Sequence, residues 1–400
     1  MFGVVCVSRK AETQSGERAE PRASTGGGRA EKVLVAYGLA SSFAGNLVSP
    51  FMALYLYGLA GGRFFQAGIA SQAPVAVSVI MGLFWARLSD TNGSRKKFVQ
   101  LSLATGSLAS LALSFASSIN DAILVQILGA FTGSAGGAAF SALMAEVFKD
   151  KRGSRLGVYN ASTVIGGFAG SMLSGFLYNW IGFRWMLRLN ALLGVLPLVL
   201  ISMIPEEGNR NPVSSRKLVS IPKIPRRFWK LYLARLVLSL PGALSGGVFS
   251  VYFVKYLNGP PEAWSTLVAV TTLFGLASIP YGRLADRLST REMFVLAGLG
   301  WTALYLGYFL SPNYLVFSLF FVIPVWPAFW LAYSKALMDL SDESERATFY
   351  AFEGTLSALF GSAVGVAAGL VADLYSPRTL FLLSSASALL GAAVAGVLLR

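Results

Sequence analysis

The chain has 400 residues, of which 54% are hydrophobic and 13% charged, with a formal net charge of +14. Soluble globular proteins carry about 25% charged residues, so this composition excludes ordinary soluble domains and indicates an all-helical integral membrane protein. Histidine is absent, which excludes Ser-His-Asp hydrolysis, His-based metal sites and imidazole proton relays. We therefore expect no enzyme activity, no cofactor and no bound metal.

Taken in chain order, the sequence divides into a tail, two apolar halves and a polar linker. Residues 1–32 lack hydrophobic periodicity, which predicts a disordered cytoplasmic tail. Residues 33–204 and 231–400 each predict a six-helix bundle, and residues 205–230, basic and with four prolines, predict a cytoplasmic linker. Each predicted helix is close to the roughly 20 residues that cross a bilayer. The twelve spans are expected at about 33–57, 65–88, 98–118, 122–148, 156–180, 185–204, 231–257, 263–284, 293–311, 314–338, 347–372 and 379–399.

The distribution of basic residues predicts the orientation in the membrane. With the N-terminus inside, 27 of the 33 Lys and Arg residues lie in the tail, the linker or the inner ends of spans, and five lie at outer ends. The positive-inside rule then places both termini in the cytoplasm of a multi-pass cell-membrane protein. It also accounts for the net charge without nucleic acid as a partner. Tryptophans at predicted helix ends fit an interfacial belt, namely Trp85, Trp180, Trp185, Trp229 and Trp264.

Three sites in the first half recur in the second half at an offset of 194 to 196 residues. The pairs are Asp90 with Asp286, Gly166 and Gly170 with Gly361 and Gly365, and Arg152 with Arg346. A shared offset at separate sites indicates duplication of a six-helix unit, and an even number of spans makes the two copies parallel in the membrane. Transporters whose two bundles rock around a central site have this architecture.

The loops after the second and eighth spans resemble the signature G-x-L-x-D-R-x-G-R-R/K of the major facilitator superfamily. The matching residues are Leu88 (one place late), Asp90, Gly93 and Arg95 in the first copy, and Gly282, Leu284, Asp286, Arg287 and Arg291 in the second. The resemblance covers about residues 33–400. It implies an all-α membrane protein with twelve transmembrane helices in two pseudo-symmetric six-helix bundles, and a type closest to the drug-efflux members.

The same resemblance implies a cytoplasmic gate, because this loop latches the two bundles in the family, with Glu146 at the inner end of the fourth span as its acidic partner. The residue chemistry agrees. Gly93 permits a turn with positive φ, Asp90 can accept hydrogen bonds at a helix N-terminus, and Arg95 suits an anionic inner surface. The alternative is a loop whose basic residues only set the topology.

The fifth span resembles the antiporter signature g-x-x-x-G-P-x-x-G-G, keeping Gly166, Gly170 and Gly175 but with Ser171 in place of proline. Small residues at four-residue spacing let two helices approach closely, which we expect here across the interface between the bundles. Generic helix packing by these glycines, and by Gly361 and Gly365 in the second half, is the alternative.

Charged residues inside the spans are the candidates for coupling, since each costs at least about 2.5–3.5 kcal/mol at the centre of a bilayer. Glu353 lies seven residues past Arg346, about 10 Å into the eleventh span. We expect it to carry a proton or to bind a substrate cation. A structural contact with the loop after the second span or with Arg235, near the inner end of the seventh span, is the alternative.

Neutral polar and aromatic groups are the candidates for a substrate cavity. These are Asn46, Gln72, Gln126, Trp326 and Trp330. The two tryptophans are four residues apart and share one helix face, with Pro324 and Pro327 beside them. Aromatic and amide groups without fixed charges suit a bulky apolar or weakly polar substrate. Simple packing of the tryptophans is the alternative.

The sequence thus predicts a secondary transporter with alternating access that exports hydrophobic or amphiphilic small molecules, in exchange for protons if Glu353 is a coupling group. Its partners are the substrate, protons and the lipid bilayer, and it is expected to be a monomer. The alternatives are uptake or facilitated diffusion of a sugar or another small metabolite, and a membrane sensor that has lost transport.

Overall fold

The structure is a computed structural model that describes residues 25–92, 94–148, 152–204, 226–340 and 346–399. The described residues form twelve helical stretches, labelled α1–α12 in chain order, and contain no strand. We call the end of the molecule at which α1 begins the predicted cytoplasmic end, and the opposite end the predicted outer end. The all-helical fold predicted from composition is confirmed.

The first half contributes six helices. They are α1 (Thr25–Leu59), α2 (Phe64–Asn92), α3 (Arg95–Leu113), α4 (Ile119–Val147), α5 (Arg152–Ile181) and α6 (Phe183–Ser202). Helices α4 and α6 are interrupted at Ser134 and Gly194. The loop from α1 to α2 contains Gly61 and Gly62, which both have positive φ and so make the tight reversal that residues with a Cβ rarely adopt.

The second half repeats this order with more interruptions. Its helices are α7 (Arg226–Ser245, then Phe249–Val251 and a π-helical turn Tyr252–Tyr256), α8 (Pro261–Leu273, a 3-10 turn Phe274–Ala277, then Ser278–Arg287), α9 (Thr290–Leu310), α10 (Tyr314–Phe321 and Trp326–Leu340), α11 (Arg346–Leu374) and α12 (Pro377–Leu398).

Two helices begin earlier than the sequence predicts. Helix α1 starts at Thr25, inside the range predicted to be tail, and an ion pair between Glu31 and Arg155 of α5 holds the extension against the bundle. Helix α7 starts at Arg226, inside the range predicted to be linker, because Phe228 is fully buried and packs against Phe349 of α11. Residues 1–24 and 205–225 lie outside the described residues.

Within the described ranges, nine of the helices are long and apolar enough to cross a membrane. Helices α3, α5 and α8 fall outside that set. They are more polar or interrupted, and α3 opens with the three basic residues Arg95, Lys96 and Lys97. All three pack against these apolar helices, and the nine apolar helices indicate a multi-pass membrane protein.

The two halves form two bundles that meet along three helix pairs. Within the first bundle α1 packs on α5 and α6, and α3 packs on α4 and α6; within the second, α12 packs on α7 and α9, and α9 packs on α10. Between the bundles α2 packs on α11, α5 packs on α8, and α1 packs on α7. The α1–α6, α3–α4 and α3–α6 contacts thus have counterparts in α7–α12, α9–α10 and α9–α12, as expected for a duplicated unit.

The hydrophobic core shows at which end the bundles meet. At the predicted outer end a single buried cluster joins both halves, with Phe51 and Phe64 from the first and Phe253 and Trp264 from the second. At the predicted cytoplasmic end the described residues form two separate clusters, one within each bundle. The molecule is therefore closed at the predicted outer end, while the halves pack independently at the other.

Candidate substrate and coupling site

Two charged side chains are buried together between α7 and α11. Arg235 Nε lies 3.1 Å from Glu353 Oε1, and the two side chains are 9% and 8% exposed. The Ser357 hydroxyl donates to Glu353 Oε1 at 2.6 Å. Among the described atoms Arg235 Nε has no aligned hydrogen bond, so the contact with Glu353 is an ion pair held by charge. Of the alternatives for Glu353, the contact with Arg235 is the one observed.

Two aromatic rings of α10 complete the surroundings of the guanidinium group. The Arg235 guanidinium carbon lies 5.4 Å from the ring centre of Tyr333 and 5.7 Å from that of Trp330. Rings at this distance attract a cation through their negative faces. The positive charge of Arg235 is therefore stabilised by one carboxylate and by two aromatic rings. If the carboxylate loses its charge, the guanidinium group still has the two rings as favourable partners.

A partly open aromatic cavity of about 350 Å³ lies within the second half, lined by α7, α8, α9 and α10. Its lining includes Phe249, Thr271, Thr272, Trp301, Tyr308 and Trp326. The cavity adjoins the break in α10 between Phe321 and Trp326. Pro324 and Pro327 cause this break, since neither has an amide hydrogen to donate. Irregular backbone is tolerated at membrane depth only inside protein or beside a cavity, and this segment has both.

The residues predicted to line one cavity are distributed over several sites. Trp326 lines the aromatic cavity, whereas Trp330 lies beside Arg235. Asn46 donates to the Ser42 carbonyl at 2.9 Å, and Gln126 donates to the Ala70 carbonyl of α2 at 3.1 Å. Gln72 lines a separate small pocket between the bundles. The amides are engaged locally because each has a backbone carbonyl or a small neighbour within reach.

Two of the residues predicted to form a cytoplasmic gate are paired with each other. Arg95, at the start of α3, forms an ion pair with Glu146 at the end of α4, and their side chains are 29% and 22% exposed. Both residues belong to the first bundle, so this pair fastens two helices of one half and does not itself bridge the halves. Gly93 and the side chain of Asp90 lie outside the described residues.

The second copy of the loop signature lies at the end of α8. Asp286 and Arg287 are exposed, Gly282 has open space around it, and Arg291 is half-buried at the start of α9. Lys335 of α10, which the sequence did not single out, donates to the Ala285 carbonyl at 2.9 Å. A cation at a helix C-terminus is stabilising, so Lys335 ties α10 to the end of α8.

The glycines of α5 correct one expectation. A Cβ at Gly166 or Gly170 would collide with the carbonyl oxygens of Leu39 and Phe43 of α1. These two glycines therefore pack helices within the first bundle, and the prediction that they face the other bundle was wrong. Of the three predicted glycines, Gly175, near the end of α5, meets the second bundle, where a Cβ would collide with Ser265 of α8. The stripe faces α1 because α1 and α5 cross along most of their length.

The equivalent glycines of α11 lie at the interface between the bundles or in open space. A Cβ at Gly365 would lie 2.9 Å from the side-chain amide carbon of Gln72 on α2, whereas Gly361 has nothing within 4 Å. Two further residues of α11 contact α2 and were missed by the sequence analysis: Gly369, packed against the Phe64 carbonyl, and Asp373.

Trp264 also differs from its predicted place in an interfacial belt. It is buried in α8, and its indole nitrogen donates to the Pro50 carbonyl of α1 at 2.8 Å. Its ring fills the closed end between the bundles, since the short connection from α7 turns the first residues of α8 inward. Trp180 fits the belt better, being 83% exposed at the end of α5.

The two parallel six-helix bundles are joined at one end, and an aromatic cavity and a buried ion pair lie at membrane depth. These features define a multi-pass transporter built from a duplicated helical unit. The sequence model of the Major Facilitator Superfamily matches residues 34–259 and 231–400, and the chain belongs to this family.

Multidrug efflux proteins are among the proteins of similar sequence. The chain is 23% identical over 265 residues to the multi-drug resistance efflux pump PmrA of Streptococcus pneumoniae, covering 63% of this chain and 66% of that protein. It is 25% identical over 270 residues to the multidrug resistance protein MdtG of Dickeya zeae, covering 62% and 64%. The chain thus spans just under two thirds of the length of these relatives.

Solved structures share the fold at low identity. The nucleoside transporter NupG superposes with a TM-score of 0.76 at 12% identity, over 93% of this chain and 99% of that one. A bacterial homologue of the human lysosomal transporter Spinster, in an inward-facing and occupied conformation, gives 0.71 at 15% identity, over 92% and 96%.

Proposed function

We propose that this protein is a secondary active transporter that works by alternating access and exports hydrophobic or amphiphilic small molecules from the cytoplasm. The observation that carries the proposal is the aromatic cavity at membrane depth, together with the buried ion pair of α7 and α11 that contacts the same segment of α10. Aromatic walls with a few hydroxyl groups favour bulky ligands of low polarity. The names of the efflux relatives support the direction of transport.

Closure at one end supports alternating access. The core is continuous between the halves at the predicted outer end and divided at the predicted cytoplasmic end. With both termini in the cytoplasm, as the positive-inside rule predicts, this arrangement is the inward-facing state that would receive a substrate for export. The localisation that follows is the cell membrane.

Glu353 is the proposed coupling residue. When it is ionised, it pairs with Arg235; when it takes up a proton, the guanidinium group keeps the rings of Trp330 and Tyr333 as partners. Loss of the ion pair on protonation frees α11 to move relative to α7. Arg235 acts as the positioning cation of the pair.

Purified protein in liposomes with a pH gradient provides the test. A hydrophobic dye should move faster with the gradient than without it, and Glu353→Gln should abolish the dependence on the gradient. Ser357→Ala, which removes only the neighbouring hydroxyl, serves as the matched control and should keep the dependence. Dye movement by Glu353→Gln with unaltered pH dependence would contradict the coupling role. Counterflow of a sugar without dye movement would favour uptake, and no flux of either would favour a sensor.

A further inference from the structure

Two contacts at the predicted outer end have the same form and come from equivalent residues of the two halves. Asp373, near the end of α11, accepts from the amides of Phe64 and Phe65 at the start of α2, at 2.6 and 2.8 Å. Asn179, near the end of α5, donates to Glu262 in the first turn of α8. Asp373 and Asn179 are 194 residues apart, within the offset of the sequence repeat.

A glycine one turn earlier makes each contact possible. Gly369 lies four residues before Asp373 and Gly175 four residues before Asn179, so the glycines are also 194 residues apart. A Cβ at Gly369 would collide with the Phe64 carbonyl, and one at Gly175 would collide with Ser265 and the backbone of Glu262. Both helices therefore approach the other bundle closely only because a glycine faces it.

The two contacts differ in where the negative charge lies. In one, the carboxylate of α11 caps the first amides of α2, which have no partner within their own helix. In the other, the carboxylate belongs to the first turn of α8 and its partner is the neutral amide of Asn179. A carboxylate is favoured at a helix N-terminus by the helix dipole; the Asp373 contact places this attraction across the interface, whereas Glu262 lies at the N-terminus of its own helix.

We infer that Asp373 with Gly369, and Asn179 with Gly175, are two repeat-related latches that hold the predicted outer ends of the halves together, the first through the charge of Asp373 on the N-terminus of α2. These residues act as positioning residues for the transport cycle. The inference rests on the proposed alternating access, because opening of the outer end requires that both latches separate.

The test measures distances between the halves and needs no transported substrate. Spin labels at Asn120 and Pro312, exposed on the two halves at the predicted outer end, report outer opening; labels at Ser154 and Asp339 report the opposite end. Cys6 is replaced by serine in every variant so that only the reporter cysteines are labelled.

Removing the charge should shift the distance distribution. Asp373→Asn should raise the ratio of outer-open to outer-closed molecules about twofold to fivefold, the range expected for one exposed charge at a helix N-terminus. Glu292→Gln is the matched control, because Glu292 accepts from the amide of Ser289, the N-cap residue of α9, within its own half. It should leave both distance distributions unchanged.

Filling the close approach tests the same latch without a change of charge. Gly369→Ala should also favour the outer-open state, whereas Gly361→Ala on the same helix, with open space around it, should not. For the second latch the corresponding pair is Gly175→Ala and Gly157→Ala.

The outcomes separate this inference from the proposed function. Unchanged outer distances in Asp373→Asn and in Gly369→Ala would overturn the inference, even if dye transport is normal. A shift in both, in a protein that moves no dye, would leave the latch standing and contradict the transport proposal. If Asp373→Asn does not fold, Gly369→Ala decides, because it keeps every polar group.

Discussion

Glu353 Oε1 and Arg235 Nε lie 3.1 Å apart between α11 and α7, and both side chains are more than nine-tenths buried. An ion pair that is removed from water gains little for stability, because the loss of hydration offsets the attraction between the charges. The cost of two charges at membrane depth is the reason that we propose a role in transport for this pair.

The first prediction concerns the contribution of the Glu353–Arg235 pair to the stability of the protein. Glu353→Ala should lower the free energy of unfolding by about 3–5 kcal/mol, since it leaves the Arg235 charge buried without its carboxylate. The double variant Glu353→Leu with Arg235→Met should recover most of that loss, because two apolar side chains replace two charges. Denaturation in mixed micelles measures both. Equal losses in the single and double variants would show that the pair itself is stabilising.

The second prediction concerns the pair of Arg95 and Glu146. Because both side chains are partly exposed, Glu146→Gln should change the free energy of unfolding by no more than about 1 kcal/mol. We expect this variant to transport more slowly nonetheless, since the pair fastens α3 to α4 beside the predicted cytoplasmic gate. Thermal unfolding and dye flux in liposomes separate the two effects.

A charge exchange is the control for that pair. Arg95→Glu together with Glu146→Arg restores opposite charges at the same positions and should recover flux relative to either single variant. Flux that stays low in the exchanged protein would mean that the identity of Arg95, and not the pairing, is what matters.

The third prediction is about the close packing of α5 on α1. Gly170→Ala should destabilise the protein by about 1–3 kcal/mol, because the added methyl group meets the Phe43 carbonyl. Gly361→Ala adds the same group to α11 in open space and should be neutral or stabilise by up to about 1 kcal/mol. Similar unfolding curves for the two variants would contradict the packing.

The fourth prediction tests the aromatic cavity as the ligand site. Trp326→Ala should weaken the binding of a hydrophobic dye about threefold to tenfold, the loss expected for one aromatic contact. Trp180→Ala removes an equally large ring at the exposed end of α5 and should bind the dye normally. Fluorescence anisotropy of the dye with purified protein measures both dissociation constants.

Sequence reasoning predicted the fold well because duplication leaves a signal that survives divergence. The common offset of Asp90 with Asp286 and of Gly166 with Gly361 implies two parallel units whatever the local chemistry. The partner of Arg95 was also predictable, because the resemblance of the loop implies an acidic residue at the end of α4, and Glu146 is there.

Side-chain directions were harder to predict. A transmembrane helix is apolar on most sides, so its sequence does not tell which face meets a partner helix and which meets lipid. For this reason Gln126, expected in a cavity, turns out to donate to a carbonyl of α2, and Gly170 packs on α1.

Asp373 shows a different limit. A single carboxylate near the end of an apolar helix looks like the polar residues that ordinarily end a transmembrane helix. Because Asp373 caps a different helix, its role also leaves no pattern in the local sequence. The available signal was the repeat itself, because the 194-residue offset pairs Asp373 with Asn179. Comparing the two halves residue by residue would have found it.

The break in α10 separates its second segment, Trp326–Leu340, from the first, so that this segment forms a helix of its own. Trp326 stands at the start of this helix in the aromatic cavity, and Tyr333, seven residues or about 10 Å further along the same face, lies over Arg235. In the proposed transport cycle, a ligand that displaces the indole would therefore act through this helix on the surroundings of Arg235. Substrate and proton would then influence each other without being in contact.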